Sequence, residues 1–499
     1  MAGIADVRDI VRGAQALLFG FGGRSVARAI LIMIAGHLFG AAELGILGQT
    51  AAYAEIVAAI GVLGLKRSLL DMLSHRAEHG QSIEQRVVEA LIVAMVVSVG
   101  LSAGLLLLWP LVLPANANLL PLLFFAVPAI AFTEVALTAI KYKRVIKWDV
   151  WSRGFTEPWG FLGLALLVYS LGIIEDGLVM AYVGSVYISA VTVGYGLIHT
   201  YGAKNLFGSA PKLQNCLQIP RKSVPVGITD LGVMMLRRID ILILGVFVSD
   251  TGVGLYYMVQ QLATVPQKVN ALFEPMISPV IARLHNRLDG NRIRATLVGI
   301  CRWIFIIQLA ISIPMVVYGD RFLALFGAEF AAGWLVLVII LLAELIDGVF
   351  ITTETPLVFA NPRIPPSLII ITLTIEIALI ALFSNVWGVE GAALGFLIAL
   401  SALGLGRLLM LGKHLHIQVI NREYLVPLSV GGLLAITLCT ARILIPPEQT
   451  LITLPIVVFS LICYALLIRK FALTKSDRVL LRALGQKKRR NGKSGKPRS

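Results

Sequence analysis

Apolar windows of about 20 residues recur along the whole chain, divided by short polar punctuation. They fall near 14–37, 42–65, 87–109, 118–140, 154–173, 177–199, 224–249, 252–278, 296–318, 331–359, 366–385, 388–411, 424–445 and 450–469. A helix of that length, rising about 1.5 Å per residue, crosses a hydrocarbon layer of about 30 Å. No junction between windows is long enough to fold as a soluble domain. The pattern predicts an all-α polytopic membrane protein with 14 transmembrane helices.

Composition agrees with that reading. The 499 residues are 58% hydrophobic and 14% charged, where a soluble protein carries about a quarter charged residues. The mean hydropathy is +0.86. The opening MAGIADVRDIVR mixes acids and bases and no small-residue cleavage site follows, so the first window reads as a retained span. Most of the 43 lysines and arginines stand before the first span, in even-numbered junctions or in the tail. KYKRVIKWDVWSR (141–153), RLHNRLDGNRIR (283–294) and GQKKRRNGKSGKPRS (485–499) are examples. Odd-numbered junctions such as PLVLPANAN (110–118) and GIIEDG (172–177) are poor in them, holding only Arg321 and Arg442. The positive-inside rule then places both termini in the cytoplasm, and a bacterial cytoplasmic membrane is the expected location. The net charge of +15 reads as this topology and not as nucleic-acid binding. The tail at 470–499 reads as disordered, with anionic membrane lipids as its available partner.

Chemistry is constrained mostly by exclusion. The cysteines Cys216, Cys301, Cys439 and Cys463 are scattered and imply neither a disulfide framework nor a metal site. No phosphate-cradling GxxxxGK, HExxH or DxD-like cluster is present. An ATP-driven pump, a glycosyltransferase and a polymerase are therefore disfavoured. A transporter with no cofactor and no covalent chemistry is expected.

A shift of 209 residues lays RAILIMIAGHLFGAAELGILG (28–48) on the stretch beginning at Arg237. Arg28 meets Arg237, Gly36 meets Gly245 and Gly45 meets Gly254. Both copies begin in an inward-to-outward span and cross a short turn, with six spans between them. The chain thus divides into an N-terminal lobe (1–199), a cytoplasmic linker (200–222), a C-terminal lobe (223–411), two further helices (412–469) and the tail. Two six-helix lobes related by an axis along the membrane normal place a substrate path at their interface.

Four stretches carry a resemblance to a known family: GHLFGAAELGILGQ (36–49), DTGVGLYYMVQQLATVP (250–266), EPMISPVIARLH (274–285) and WGVEGAALG (387–395). With them the chain resembles the polysaccharide-transporter branch of the multidrug/oligosaccharidyl-lipid/polysaccharide exporter superfamily, the O-antigen and exopolysaccharide flippases. That resemblance implies a V-shaped, two-lobed cavity opening alternately to each side, and a lipid-linked oligosaccharide as cargo. It also implies polysaccharide polymerase machinery as a partner.

Basic residues inside the spans point the same way. Arg24 lies roughly 15 Å into the first span and Arg237 about 20 Å into the seventh. Each buried charge costs on the order of 3 kcal/mol to insert, so such residues face a cavity by default. Arg24, Arg28, Arg237 and Arg238 are the expected anion seat, because a guanidinium stays charged and grips phosphate oxygens with a planar fork. Lys268, Gln260 and Gln261 on the eighth span extend that polar strip. Ion pairing between helices is the competing reading: Asp240 follows Arg237 by three residues, and Glu55, Glu344, Asp347 and Glu376 are further acceptors. Glu55, Asp240, Glu344 and Asp347 are also the expected coupling-ion residues, Glu354 lying nearby in sequence, with a cation gradient or the membrane potential as driving force. Glu134 is deep but has no assigned role, and His37 reads as interfacial. A flippase for an undecaprenyl-diphosphate-linked repeat unit is the leading function. A multidrug or small-molecule antiporter of the same superfamily is the alternative, and a membrane enzyme the third class.

Overall fold

The computed structural model describes residues 2–112, 120–270, 290–445 and 450–472, with isolated positions in between. Side chains are described from residue 30 onward, leaving out 108–123, 446–452 and part of 271–289. Among the described residues there are helices and no strands. Nine of the described helical stretches are long and apolar enough to cross a membrane.

Two of these stretches, Ile30–Glu78 and Ile364–Leu415, have 49 and 52 residues, about 75 Å if straight. Neither is straight. Gly40 (φ +82°) and Gly388 (φ +57°) interrupt them with non-helical backbone. Gly40 sits in a predicted junction and Gly388 opens the window predicted at 388–411, and a residue with Cβ would be strained at either. Each glycine marks a kink between two helices, and the first stretch turns again at Leu63–Gly64.

Packing divides the chain into two compact units. The first comprises residues 1–262, 320–340 and 366–399. One core joins the helices Ile83–Val112, Leu120–Tyr142 and Gly177–Tyr201 around Leu69, Ala90, Ala94, Leu137, Ala139 and Ile140. The alanines let the helices approach closely, which is how helices pack where lipid removes the hydrophobic driving force. Tyr201 spans the core and donates to the Ala139 carbonyl at 2.7 Å.

At the lysine- and arginine-rich end of this unit, one carboxylate joins Gln85 and Arg86, which donate to the Ala210 and Asn215 carbonyls, in fastening the linker to the N-terminal helices. Glu89 is fully buried. It accepts from Arg76 (3.3 Å), Arg86 (3.3 Å), the Asn215 amide (2.7 Å) and the Lys212 backbone N–H (3.3 Å). Two guanidiniums and two neutral donors fill its acceptor sites, which makes the burial of the charge tolerable.

The second unit comprises residues 263–319, 341–365 and 400–499. Its helices Gly290–Val317, Leu425–Leu444 and Thr450–Leu467 pack around Ile306, Val317, Leu434, Leu438 and Tyr464. Tyr464 donates to the Ile306 carbonyl (3.0 Å) and Tyr318 to that of Leu438 (3.3 Å). Elsewhere, bulky apolar side chains such as Leu107, Val191, Val386, Leu409 and Ile436 point outward. An apolar surface of that kind requires hydrocarbon around it.

Candidate functional site

The span predicted at 224–249 is not one helix. Leu213–Met235 ends, residues 236–238 form a turn, and Ile239–Phe247 begins a second helix. Arg238 has φ −140°, outside the helical range. Arg237 and Arg238 therefore sit on a break in a membrane helix, and such breaks are where transporters of many folds place substrate and ion contacts.

Within the first unit this break opens onto a cavity of about 100 Å³, room for several waters. Ala35, Glu55, Arg153, Glu157, Tyr182 and Arg238 are among its lining. The Arg238 guanidinium grips Glu55 with two bonds, Nε to Oε2 at 2.7 Å and Nη2 to Oε1 at 3.2 Å. Arg153 is held in parallel fashion: its Nη2 meets Glu134 Oε1 at 2.5 Å, and Lys66 stands 3.6 Å from the other oxygen. Both pairs are partly exposed, with side-chain accessibilities between 20% and 27%, so water or a ligand reaches them. Arg153 lies in a single π-turn, Ser152–Thr156, a distortion frequent at functional sites because it redirects one side chain. Glu157, one turn further, accepts from Ser189 (3.3 Å), whose hydroxyl is 2.7 Å from that of Ser152.

Beyond the break lies a cluster of buried acids. Asp240 is fully buried. It accepts from the Ile241 N–H (2.9 Å), the Tyr256 hydroxyl (2.8 Å) and the Gln260 amide. Glu376 is also fully buried, and neither of its carboxyl oxygens has a hydrogen-bond partner among the described residues. It lies close enough to Asp240 and Arg237 to feel both charges. An ionised carboxylate in that position carries a large desolvation cost unless a proton or a cation joins it.

The second unit carries a different polar group. Arg407, buried, reaches Asp347 at 2.7 Å and Glu354 at 2.8 Å. Glu344 accepts from Gln267 at 3.1 Å. Lys268 is exposed in this unit and Gln261 is buried in the first.

The expected site residues thus fall into separate places. Arg238 and Glu55 meet in one ion pair on the cavity. Asp240 and Gln260 meet in the acid cluster, beside Arg237. Asp347 pairs with Arg407, and Glu344 with Gln267. The side chains of Arg24 and Arg28 lie outside the described residues. Glu134, left without a role by the sequence, anchors Arg153. Arg153 is the cavity-lining residue that sequence reasoning missed, because the hydropathy window begins at residue 154 and leaves it among the cytoplasmic charges. The signal was present in the boundary, since Glu157 and Pro158 just inside the window break its apolar run and mark a polar helix face. Arg302 and Arg407 lie inside the windows 296–318 and 388–411 and are further intramembrane charges, paired with Glu423 and with Asp347 and Glu354.

The comparisons with known proteins agree with this architecture. The profile described as "Polysaccharide biosynthesis protein" matches residues 10–285. Among solved structures, the lipid II flippase MurJ in an inward closed conformation aligns with a TM-score of 0.74 at 12% identity, covering 93% of this chain and 100% of that one. An inward-facing multidrug resistance MATE family transporter of the MOP superfamily gives 0.57 at 13% identity, covering 79% and 99%. A point mutant of the Vibrio cholerae MATE transporter VcmN gives 0.51 at 14%, covering 82% and 97%. At these identities the likeness is one of fold. No curated protein sequence matches. The fold is that of multi-pass membrane flippases and transporters, and the chain belongs to the polysaccharide biosynthesis protein family.

Proposed function

We propose that this protein is a flippase that carries the anionic headgroup of a lipid-linked oligosaccharide across the bacterial cytoplasmic membrane by alternating access. The undecaprenyl-diphosphate-linked repeat unit of a surface polysaccharide is the cargo that fits. The observation that carries this reading is the pair of cavity guanidiniums, Arg153 and Arg238, each held ready by a carboxylate on another helix. An empty cavity needs its charges balanced, and Glu55 and Glu134 do that. An arriving diphosphate offers each guanidinium a doubly forked acceptor and displaces the resident carboxylate. Because the resting pairs are only partly buried, the exchange need not strand a charge in a dry interior. In the sequence, Arg28 and Arg24 stand four and eight residues before the cavity-lining Ile32, and we assign them to the same anion seat. Asp240 and Glu376 are the acids we assign to coupling with a cation gradient or the membrane potential. Enzymes that polymerise the sugar on the far side would consume the product.

A second reading has one observation in its favour. Glu55 and Glu157 balance Arg153 and Arg238 on the cavity wall, which suits a zwitterionic or cationic small molecule moved by an antiporter.

The deciding experiment measures lipid-linked oligosaccharides on each leaflet by mass spectrometry in a strain lacking the protein. Complete repeat units accumulate on the cytoplasmic leaflet, and the native chain clears them while Arg238→Ala does not. An unchanged lipid-linked pool combined with altered drug sensitivity establishes the antiporter instead.

A further inference from the structure

The shift of 209 residues that aligns the two repeats also pairs the residues that touch. A Cβ placed on Gly45 would collide with the Asp250 carbonyl oxygen and the Gly254 N–H. A Cβ on Gly254 would collide with the Ala41 carbonyl oxygen and the Gly45 N–H. Ala41 and Asp250 are themselves 209 apart, as are Gly45 and Gly254, so the two contacts are one contact seen twice. A Cβ on Gly48 would enter the ring of Tyr257, its own counterpart under the same shift. Two matched positions meeting their own equivalents, and a third pair making reciprocal contacts, define a local two-fold axis through this crossing. Here the first turns of two equivalent helices touch backbone to backbone, the approach that small residues four apart permit.

We propose that this crossing is the outer gate of the transport path, closed in the present conformation and separated in the other. The inference rests on the alternating-access reading above. The crossing lies beside the Gly40 break, at the end of the bundle whose junctions are poor in lysine and arginine. Tyr257 connects it to the cavity, because its ring both packs on Gly48 and lines the chamber. An isologous contact on the axis relating two lobes is the place where a rocking motion changes the separation most directly.

A latch lies across it. Glu329 accepts the backbone N–H of Ala41 at 2.8 Å, the first donor after the non-helical Gly40. That N–H begins a helix and has no intrahelical acceptor of its own, so a carboxylate from 288 residues away caps it. Beside it, a Cβ on Gly36 would collide with the Phe326 carbonyl oxygen. Opening the gate must break the Glu329 cap, and the freed N–H then turns to water.

The test uses the full chain with its four cysteines replaced and one reporter, Ser185→Cys, in the cavity wall. A membrane-impermeant maleimide is added to the outer face of oriented vesicles. Gly45→Leu and Gly254→Leu should each raise the outside labelling rate roughly tenfold, because a side chain there props the two helices apart. Glu329→Ala, at an exposed position, should give a smaller rise in the same direction and leave the core untouched. If the leucine variants fail to fold, the Glu329 variant decides alone. Outside labelling that stays at the parent level in a folded Glu329→Ala or leucine variant overturns the gate. A labelling shift in a protein that proves to move no lipid-linked sugar supports the gate and removes the cargo reading, so the two fail separately.

Discussion

At the scale of single residues, the cavity poses a question of roles: are Arg238 and Glu55 a structural clasp or a binding site at rest? The geometry lets the two be separated. Arg238→Ala leaves Glu55 partly buried without its fork, at a cost of about 2 kcal/mol, and a lower unfolding temperature in detergent should follow. Replacing both residues by Gln removes both charges and keeps a hydrogen-bonding pair. The double variant should therefore recover most of that stability while remaining unable to clear the lipid-linked intermediate. Thermal unfolding and leaflet-resolved mass spectrometry on the same set of variants check this as a double-mutant cycle. Transport that returns with stability would reduce the pair to a clasp. Arg153→Lys is the companion case. It keeps the charge near Glu134 but gives up the planar fork, so transport should fall several-fold while the protein stays folded.

At the scale of elements, the membrane helices are largely legible in the sequence. Membrane helices announce themselves because every backbone polar group must be satisfied inside the segment, which forces apolar runs of predictable length. The break at Gly40 fell between two predicted windows and the one at Gly388 at the first residue of the window 388–411, and only glycine adopts those positive φ values without strain. Three features were not legible. The break at 236–238 leaves the hydropathy of its span unchanged, because a few unwound residues between apolar flanks do not alter a 20-residue average. The π-turn at Ser152–Thr156 shifts Arg153 by a fraction of a turn, far below what a window resolves. The third is the linker, whose Lys212 and Asn215 converge with Arg76 and Arg86 on buried Glu89. That convergence makes a prediction about an element. Glu89→Ala strands two guanidiniums, one of them buried, and should cost about 3–5 kcal/mol. The linker should then become the first site of limited proteolysis on the cytoplasmic side, near Lys204 or Lys212. If cleavage in the variant begins elsewhere, Glu89 does not hold the linker.

For the whole molecule, the repeat read from the sequence rests on very few identities, and for one of them, Gly45 with Gly254, the structure offers a physical reason. Where two backbones touch on a symmetry axis no side chain fits, so Gly45 and Gly254 are fixed by contact while the flanking helices are free to diverge. The same divergence explains why the charges are not symmetric. Arg238 reaches across to Glu55, whereas the acid cluster of Asp240 and Glu376 has its members on 239–247 and 364–387 only. One repeat thus contributes both halves of the buried acid pair, and the other lines most of the cavity wall. A molecule built this way can separate the work of holding cargo from the work of responding to a gradient. If it does, Asp240→Asn and Glu376→Gln should leave binding of a soluble diphosphate analogue close to that of the native chain. Flipping in proteoliposomes should fall by at least about tenfold, the scale of a typical coupling free energy. More telling than the rate is its dependence on conditions. The native protein should speed up under an imposed proton, sodium or electrical gradient, and the doubly neutral variant should respond to none. A variant that flips slowly yet still follows the gradient would place the coupling elsewhere, and the Asp347–Arg407–Glu354 group of the second unit would be the next to neutralise.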